Sequence, residues 1–214
     1  MKLSCENVCK SIKGRKVLER ISLEMCSGTV YGFWGPNGSG KTMLFRALSG
    51  LVSVDEGHIF LDDKELHKDF EVLPGLGMVL EHAGLYQNMT GLDNLLYLAK
   101  IRSLIGKEEV VSSIKRVGLD PWDNRTYRKY SLGMKKRIII AQAIMEKPDI
   151  LMLDEPTDGL DESGLELIRK VINEEKDRGA ISLLNSHNKD DLRLLADFVY
   201  KVNEGRLSTG DNII

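Results

Sequence analysis

One eight-residue stretch decides the fold: Gly35-Pro36-Asn37-Gly38-Ser39-Gly40-Lys41-Thr42. It matches the pattern G-x-x-x-x-G-K-S/T, follows an apolar run at residues 30–34 and opens into a segment with helical character. Gly35, Gly38 and Gly40 let the backbone turn with positive φ, so that successive N–H groups face one concavity in which a polyphosphate fits. The helix that begins near Lys41 adds the positive end of its dipole. The pattern predicts a strand, a phosphate-binding loop and a helix.

Two residues of this loop have separate predicted roles. Lys41 reaches the β- and γ-phosphates as a point charge, and Thr42 offers its hydroxyl to Mg²⁺. A glycine-rich turn without a ligand is the alternative, but the full pattern arises by chance in on the order of one chain in a hundred of this length. The loop therefore favours nucleotide binding.

Length and charge limit the possible functions. The 214 residues are enough for one sizeable core with an insertion and too few for two catalytic domains. The formal charge of −2 gives no net attraction to nucleic acid or to an anionic membrane. No apolar segment approaches ~18 residues and the first residues lack a signal-peptide core. We therefore expect a cytosolic chain, unless another protein holds it at a membrane.

The three cysteines, Cys5, Cys9 and Cys26, lie near the start of the chain. There is no fourth cysteine and no nearby histidine to complete a zinc site. We predict that all three are reduced, small core residues.

The first 147 residues divide into a strand-rich part and a helical part. Leu3–Met25 is typical of a small antiparallel sheet with a hairpin turn at Lys13–Lys16. From His82 to Lys147 the periodicity is helical, with a capping box at Thr90–Asp93 and Ser131 as the N-cap of a later helix. Further predicted elements are strands at 58–61 and 76–80 and helices at 43–51 and 107–117.

Chemically important groups follow two apolar strands in the second half of the chain. Ile150–Leu153 is typical of a central buried parallel strand and runs into Asp154 and Glu155. Ile181–Leu184 is typical of another strand and leads to His187. Because ligands of open parallel sheets bind at the carboxyl ends of the strands, we expect the phosphate loop, the acidic pair and His187 to share one pocket. Helices at 162–178 and 190–196 and a hairpin at 203–205 complete the prediction.

The acidic pair fits two roles in nucleotide hydrolysis. Asp154 fits a second contact with Mg²⁺, usually through water. Glu155 is placed to orient and deprotonate an attacking water, and a general base contributes typically 10²–10⁴-fold to such a rate. A surface acidic turn is the alternative.

The order of these motifs resembles that of the nucleotide-binding subunit of ATP-binding-cassette (ABC) transporters, over essentially the whole chain. After the phosphate loop and the helical insertion come Tyr-Ser-Leu-Gly-Met-Lys-Lys-Arg at 130–137, Leu-Met-Leu-Asp-Glu-Pro at 151–156, Gly-Leu-Asp at 159–161 and His187. The resemblance implies an α/β fold. It comprises a P-loop NTPase (RecA-like) core with a small antiparallel β subdomain at residues 1–81 and 148–214, and an inserted α-helical subdomain at residues 82–147.

The resemblance also implies ATP and Mg²⁺ as cofactors, and a head-to-tail dimer with a second copy or a homologous ATPase. The signature residues, which would close over the γ-phosphate of ATP held by the other subunit, are Ser131, Leu132, Gly133 and Met134. A serine at a helix N-terminus suits an anion, although alone it is merely an N-cap. His187 would contact the γ-phosphate and the attacking water, and Asp161 would mediate contact between the two sites.

The chain departs from the family at three places. The signature has Ser-Leu-Gly-Met-Lys instead of the commoner Ser-Gly-Gly-Gln-Gln, a variant that resembles the branch exporting peptides, antibiotics and other drugs. Glu81 replaces the usual Gln that contacts Mg²⁺ and the water; a carboxylate still serves a cation but repels the γ-phosphate unless Mg²⁺ lies between. Ile12 replaces the usual aromatic that stacks on adenine, and this weaker stacking predicts GTP hydrolysis within about tenfold of ATP hydrolysis.

The favoured function is the ATPase motor of an exporter, peripheral at the cytoplasmic face of the membrane through a separate transmembrane permease. The alternative is a soluble ABC ATPase that scaffolds an assembly, which needs no membrane subunit. A regulatory module with a dead site is disfavoured because the residues that hydrolysis needs are all present: Lys41, Asp154, Glu155 and His187. Lys135–Arg137 is interpreted as a solvated face in a net-acidic chain, so no nucleic acid partner is expected.

The groove for the permease is expected near residues 82–104 of the helical insertion. Leu85, Tyr86 and Met89 could accept an apolar helix there. The same residues could equally be ordinary core.

Overall fold

A computed structural model describes residues 1–80 and 83–209 of the chain. Its strands are β1 Lys2–Ile12, β2 Arg15–Cys26, β3 Thr29–Trp34, β4 Glu56–Leu61, β5 Lys64–Glu65, β6 Leu76–Val79, β7 Ile150–Asp154, β8 Ile181–Ser186, β9 Phe198–Asn203 and β10 Arg206–Thr209. Its α-helices are α1 Lys41–Ser49, α2 Gly91–Arg102, α3 Lys107–Arg116, α4 Leu132–Ile144, α5 Glu162–Asp177 and α6 Lys189–Leu195, and a short 3-10 helix spans Tyr127–Lys129. The subdomain boundary proposed between residues 81 and 82 lies outside the described residues.

The larger sheet has six strands in the order β10-β9-β3-β8-β7-β6. All neighbours pair in parallel except the edge strand β10, which is antiparallel to β9. Trp34 at the end of β3 pairs with Ser186, and Asp154 at the end of β7 pairs with Asn185. The carboxyl ends of β3, β8 and β7 therefore meet at one edge of the sheet, as the sequence predicts.

The smaller sheet is antiparallel, in the order β2-β1-β4-β5. Its first hairpin turns at Lys13 and Gly14, which have φ of 49° and 78°. These values match the two-residue turns that suit the twist of paired strands, so the predicted hairpin is confirmed. β5 is not predicted from the sequence, because two residues are too few to leave a periodic signal.

Each face of the larger sheet covers its own apolar core. Along β7, Ile150 and Met152 pack with α1 and the smaller sheet, whereas Leu151 and Leu153 pack among the helices of the opposite face. All four side chains are fully buried, and burying one such side chain stabilises the fold by roughly 1.5–3 kcal/mol. Burial on both faces explains why β7 is a continuous apolar run.

The predicted helix starts are confirmed at two caps. The Oγ1 of Thr90 accepts a hydrogen bond from the Asp93 N–H at 3.1 Å, and the Oγ of Ser131 accepts one from the Met134 N–H at 3.2 Å. Each bond satisfies a backbone donor that has no partner within the helix. Across the described residues, no helix combines the length and the apolar character needed to cross a bilayer.

The cysteines differ in environment, so their common prediction is only partly right. Cys5 is buried, and burial raises the pKa of its thiol to about 12. Cys9 is half-buried and Cys26 is exposed, so the prediction of a core residue is wrong for Cys26. Side chains alternate along β2, and the buried neighbour Met25 leaves Cys26 on the solvent side. All three thiols are free.

A buried carboxylate ties α3 to the end of α5. Glu175 is 1% exposed, and its two oxygens lie 2.7 Å from the Nη2 atoms of Arg116 and Arg178. Arg178 also donates to the carbonyl oxygen of Pro148. Helices that are far apart in the chain are thus joined by charge-assisted hydrogen bonds in a largely buried place.

We expect Glu175→Gln to lower the free energy of unfolding by about 1–3 kcal/mol, because Arg116 and Arg178 then face a neutral amide. Glu174→Gln is the matched control, since the Glu174 side chain is 40% exposed and meets Arg116 at the surface. For this control we expect less than about 1 kcal/mol. Urea denaturation followed by circular dichroism measures both, and equal losses would contradict the role of Glu175.

Candidate functional site

The phosphate loop joins β3 to α1, as predicted. Gly38 and Gly40 have φ of 78° and 110°. The prediction of a positive φ is wrong for Gly35, which needs space instead: a Cβ there would lie 2.1 Å from the carbonyl oxygen of Val202 on β9. The loop is therefore fitted closely against the neighbouring strand.

Lys41 places a positive charge inside this loop. Its Nζ donates to the carbonyl oxygens of Gly35 at 2.7 Å and Pro36 at 3.3 Å, and the residue is 6% exposed. Because Lys41 is also the first residue of α1, its charge adds to the positive end of the helix dipole. Both features attract an anion to the same concavity.

Thr42 and Asp154 meet although 112 residues separate them in sequence. The Oγ1 of Thr42 donates to Oδ2 of Asp154 at 2.9 Å, and Asp154 is 1% exposed at the end of β7. Hydroxyl and carboxylate oxygens are ligands that suit Mg²⁺, which also uses phosphate oxygens and water. The donor set therefore fits this ion.

Glu155 adopts an uncommon backbone conformation directly after β7. Its φ is 49°, in the left-handed region that residues with a Cβ rarely occupy. Its N–H donates to the carbonyl oxygen of Asn185 at 3.0 Å and to the Asn185 Oδ1 at 3.1 Å. The end of β8 thus fixes the turn in which Glu155 lies.

The carboxylate of Glu155 is held by His187. Its Oε1 accepts the His187 backbone N–H and its Oε2 lies near the ring Nδ1, both at 2.9 Å. The Glu155 side chain is 10% exposed, whereas that of His187 is 56% exposed. The anchored carboxylate therefore orients an accessible imidazole.

The phosphate loop, the acidic pair and His187 contribute to one cavity of about 440 Å³, as the edge rule for parallel sheets predicts. Its lining comprises Val17, Asn37, Gly38, Gly40, Lys41, Thr42, Met43, Asp154, Glu155, Asp158 and His187. Three lining residues were not predicted as site residues from the sequence: Val17, Met43 and Asp158. Asp158 could have been found from its position three residues after the acidic pair, whereas an apolar strand residue such as Val17 carries no local signal.

The signature residues lie elsewhere, at the N-terminus of α4. In the described part of the chain none of Ser131, Leu132, Gly133 and Met134 lines the cavity. Leu132 is 66% exposed, and a Cβ added to Gly159 would lie 2.6 Å from its Cδ2. The signature thus packs on the segment that follows Glu155 and faces outward.

Asp161 caps α5. Its Oδ1 accepts the Gly164 N–H at 2.9 Å. This bond, together with the Ser163 hydroxyl, holds the pKa of the exposed carboxyl below its ordinary value. Asp161 thus has a local structural role, independent of the contact between the two nucleotide sites of a dimer that the resemblance implies.

Of the two remaining predicted residues, one is outside the cavity and the other cannot be placed. Glu81 lies outside the described residues. Ile12 lies at the end of β1, paired with Arg15 and 43% exposed, and it is not part of the lining. Val17, on the strand paired with β1, lines the cavity instead.

The interpretation of Lys135–Arg137 as a solvated face is wrong. Lys136 Nζ donates to the carbonyl oxygen of Glu155 at 2.7 Å, and Arg137 Nη1 donates to that of Gly118 at 3.0 Å. The Nζ of Lys135 lies 5.5 Å from the centre of the Tyr127 ring. All three side chains fold back onto the protein, because long basic side chains can pack their stems and still reach a partner.

Comparison with known proteins gives consistent similarities. The family model described as "ABC transporter" matches residues 18–158. The chain is 44% identical over 208 residues to the uncharacterized ABC transporter ATP-binding protein YybJ of Bacillus subtilis (strain 168), covering 97% of this chain and 95% of that protein. It is 33% identical over 205 residues to the lantibiotic transport ATP-binding protein SrtF of Streptococcus pyogenes, covering 96% and 88%. The solved dimeric structure of the bacterial cassette MJ0796 is similar in fold, with a TM-score of 0.84, 21% identity, and coverage of 97% and 98%.

We expect Gly35→Ala to lower the free energy of unfolding by about 1–3 kcal/mol and to weaken nucleotide binding, because the new methyl group meets the backbone of β9. Gly84→Ala is the control, since Gly84 is exposed with open space around its Cα, and a change within about 0.5 kcal/mol is expected. Thermal denaturation and titration with a fluorescent ATP analogue measure the two effects. Equal results for Gly35→Ala and this control in both assays would show that the close fit of the loop to β9 affects neither stability nor nucleotide binding.

Proposed function

This chain belongs to the ABC transporter family, and from that premise we propose that it is the ATP-hydrolysing subunit that powers export of a peptide, antibiotic or other drug-like substrate. One observation carries the proposal: Lys41, Thr42, Asp154, Glu155 and His187 line a single cavity. These five residues supply the charge, the metal ligands and the proton acceptor that hydrolysis of a nucleoside triphosphate needs.

Binding of the triphosphate depends on the loop and on the metal ligands. Lys41 and the N–H groups at the start of α1 meet the β- and γ-phosphates. Thr42 and Asp154 would hold Mg²⁺, Asp154 usually through water. When bound, Mg²⁺ neutralises charge on the β- and γ-phosphate oxygens.

Hydrolysis depends on Glu155. Its carboxylate accepts a proton from the water that attacks the γ-phosphorus, while the bond between that phosphorus and the β–γ bridging oxygen breaks to leave ADP and phosphate. The hydrogen bonds from His187 keep the carboxylate in place. The accessible imidazole of His187 contacts the γ-phosphate from the same side of the cavity.

The active form in this proposal is a head-to-tail dimer. The signature residues lie at an exposed helix N-terminus outside their own subunit's cavity, as a site that serves the partner's nucleotide requires. Ser131 there has a hydroxyl and neighbouring N–H groups that suit a γ-phosphate. The similar MJ0796 cassette was solved as a dimer.

A separate permease would dock on the helical insertion. Tyr86 is 54% exposed and packs edge-on against Tyr97, with ring centres 5.3 Å apart. Tyr97, Ile101 and Leu104 continue this apolar surface and are at least 49% exposed. Leu85, by contrast, packs against the core, so the surface centres on Tyr86 and α2. Such a surface suits an apolar helix from a membrane subunit and would hold the chain at the membrane face.

The exporter is favoured over a soluble scaffold by two features. The signature variant Ser-Leu-Gly-Met-Lys resembles the drug- and peptide-export branch. The similar protein SrtF is described as a lantibiotic transport ATP-binding protein.

We expect Glu155→Gln to lower kcat for ATP by about 10²–10⁴-fold, because the amide cannot accept the proton from water. The dissociation constant for Mg-ATP should change little. Glu166→Gln makes the same chemical change on an exposed position of α5 and should retain wild-type turnover. Phosphate release under saturating Mg-ATP measures this, and a Glu155→Gln protein with near-normal kcat would remove Glu155 from the mechanism.

The proposed permease partner is tested with the Glu155→Gln variant, which should hold the closed dimer in Mg-ATP. Glu155→Gln protein purified from detergent-solubilised membranes is examined by mass spectrometry, with Mg-ADP as the control condition. A polytopic membrane protein in stoichiometric amount is the expected result. Reproducible recovery of soluble partners alone would favour the scaffold function instead.

We also expect GTP hydrolysis within about tenfold of ATP hydrolysis, because Ile12 offers no aromatic face to the base. In this proposal the base extends past Val17 to Ile12, which lies outside the cavity lining, so Ile12→Tyr should add a stacking face and lower the KM for ATP by about fivefold or more, from a stacking energy of ~1–3 kcal/mol per base. Parallel steady-state assays with both nucleotides measure this preference. A wild-type protein that strongly prefers ATP would show that Ile12 does not loosen base recognition.

A further inference from the structure

The backbone of Glu155 is held in the left-handed region by contacts on both sides. At φ 49° a residue with a Cβ is strained, and such strain persists only where the surroundings determine the conformation. Asn185 fixes the N–H of Glu155, as described above. The carbonyl oxygen of Glu155 accepts the Asp158 N–H at 3.3 Å, and a second, closer donor comes from another element.

Lys136 supplies that donor. Its Nζ lies 2.7 Å from the Glu155 carbonyl oxygen, in a partly buried position. A charged donor at this distance makes a strong hydrogen bond. A neutral side chain of similar length without a donor would leave the carbonyl oxygen with only the longer bond from the Asp158 N–H.

The same helix carries the signature. Ser131 is the N-cap of α4, and Lys136 lies five residues further along this helix. Leu132 also contacts the segment after Glu155, since a Cβ added to Gly159 would lie 2.6 Å from its Cδ2. A displacement of α4 therefore moves the ammonium group and the segment around Glu155 together.

From this geometry we infer that Lys136 is a positioning residue for Glu155, through which the signature helix sets the placement of the hydrolytic carboxylate in its own subunit. Lys136 touches the backbone of Glu155 and acts through it. The inference rests on the proposed function, because it assigns Lys136 a role in the hydrolysis attributed to Glu155.

The first test compares three lysine variants with the wild-type ATPase. Lys136→Met should lower kcat by about tenfold or more, because small displacements of a catalytic group are costly, and the dissociation constant for Mg-ATP should stay within about twofold. Lys136→Arg keeps a charged donor and should recover kcat to within about threefold of wild type. Lys129→Met removes the same charge from an exposed residue before α4 and should leave kcat unchanged.

The second test is a double-mutant cycle with Glu155→Gln. If Lys136 acts through Glu155, Lys136→Met should lower the residual rate of the Glu155→Gln protein by less than about twofold. A full tenfold effect in that background would show that Lys136 acts elsewhere and would overturn the inference. Equal kcat for Lys136→Met and wild type, or no recovery in Lys136→Arg, would also overturn it.

Folding and the proposed function are checked separately. Thermal denaturation verifies that each variant is folded, and Lys136→Gln, which keeps a shorter donor, replaces Lys136→Met if the latter is unstable. Lys136→Gln is then expected to have a kcat below that of Lys136→Arg, and an unchanged kcat overturns the inference. A wild-type protein without ATPase activity contradicts the proposed function itself, whereas an active wild type with an insensitive Lys136 contradicts only the inference.

Discussion

The parallel pairing of β3, β8 and β7 is the constraint on which the site depends. It places Thr42 beside Asp154 across 112 residues of sequence, with the hydroxyl and carboxylate 2.9 Å apart. The pairing continues one residue past β7, where the Glu155 N–H bonds to Asn185. A single residue of slip would turn each buried side chain to the opposite face of the sheet, so the apolar cores fix the register and the register fixes the site.

Much of this arrangement is encoded in local sequence patterns. The phosphate loop, the acidic pair and His187 each follow an apolar run, and the edge rule for parallel sheets is enough to bring them together. The contact of Lys136 was not predictable, because the charge pattern of a basic run is the same whether its side chains extend into water or fold back. The steric need for glycine at position 35 was also not predictable, because the atom that a Cβ would meet belongs to Val202, 167 residues later in the chain.

The helices of the insertion do not form a separate apolar unit. Leu95, Ile114 and Ile138 share one core with Leu151 of β7 and Ile168 of α5. Polar contacts reinforce this junction at Glu175. Because such a shared core is closely packed, a small displacement of one element is passed on to its neighbours. A movement of α4 would be transmitted in this way.

The position of β3 has a consequence for synthesis on the ribosome. Its two neighbours in the sheet, β8 and β9, are formed by residues 181–186 and 198–203, whereas β3 itself ends at residue 34. A nascent chain must therefore emerge as far as residues 181–186 before either edge of β3 can pair with its neighbour in the sheet. Until then the strand that leads into the phosphate loop stays unpaired and apolar, which makes this stage of translation the one most exposed to aggregation.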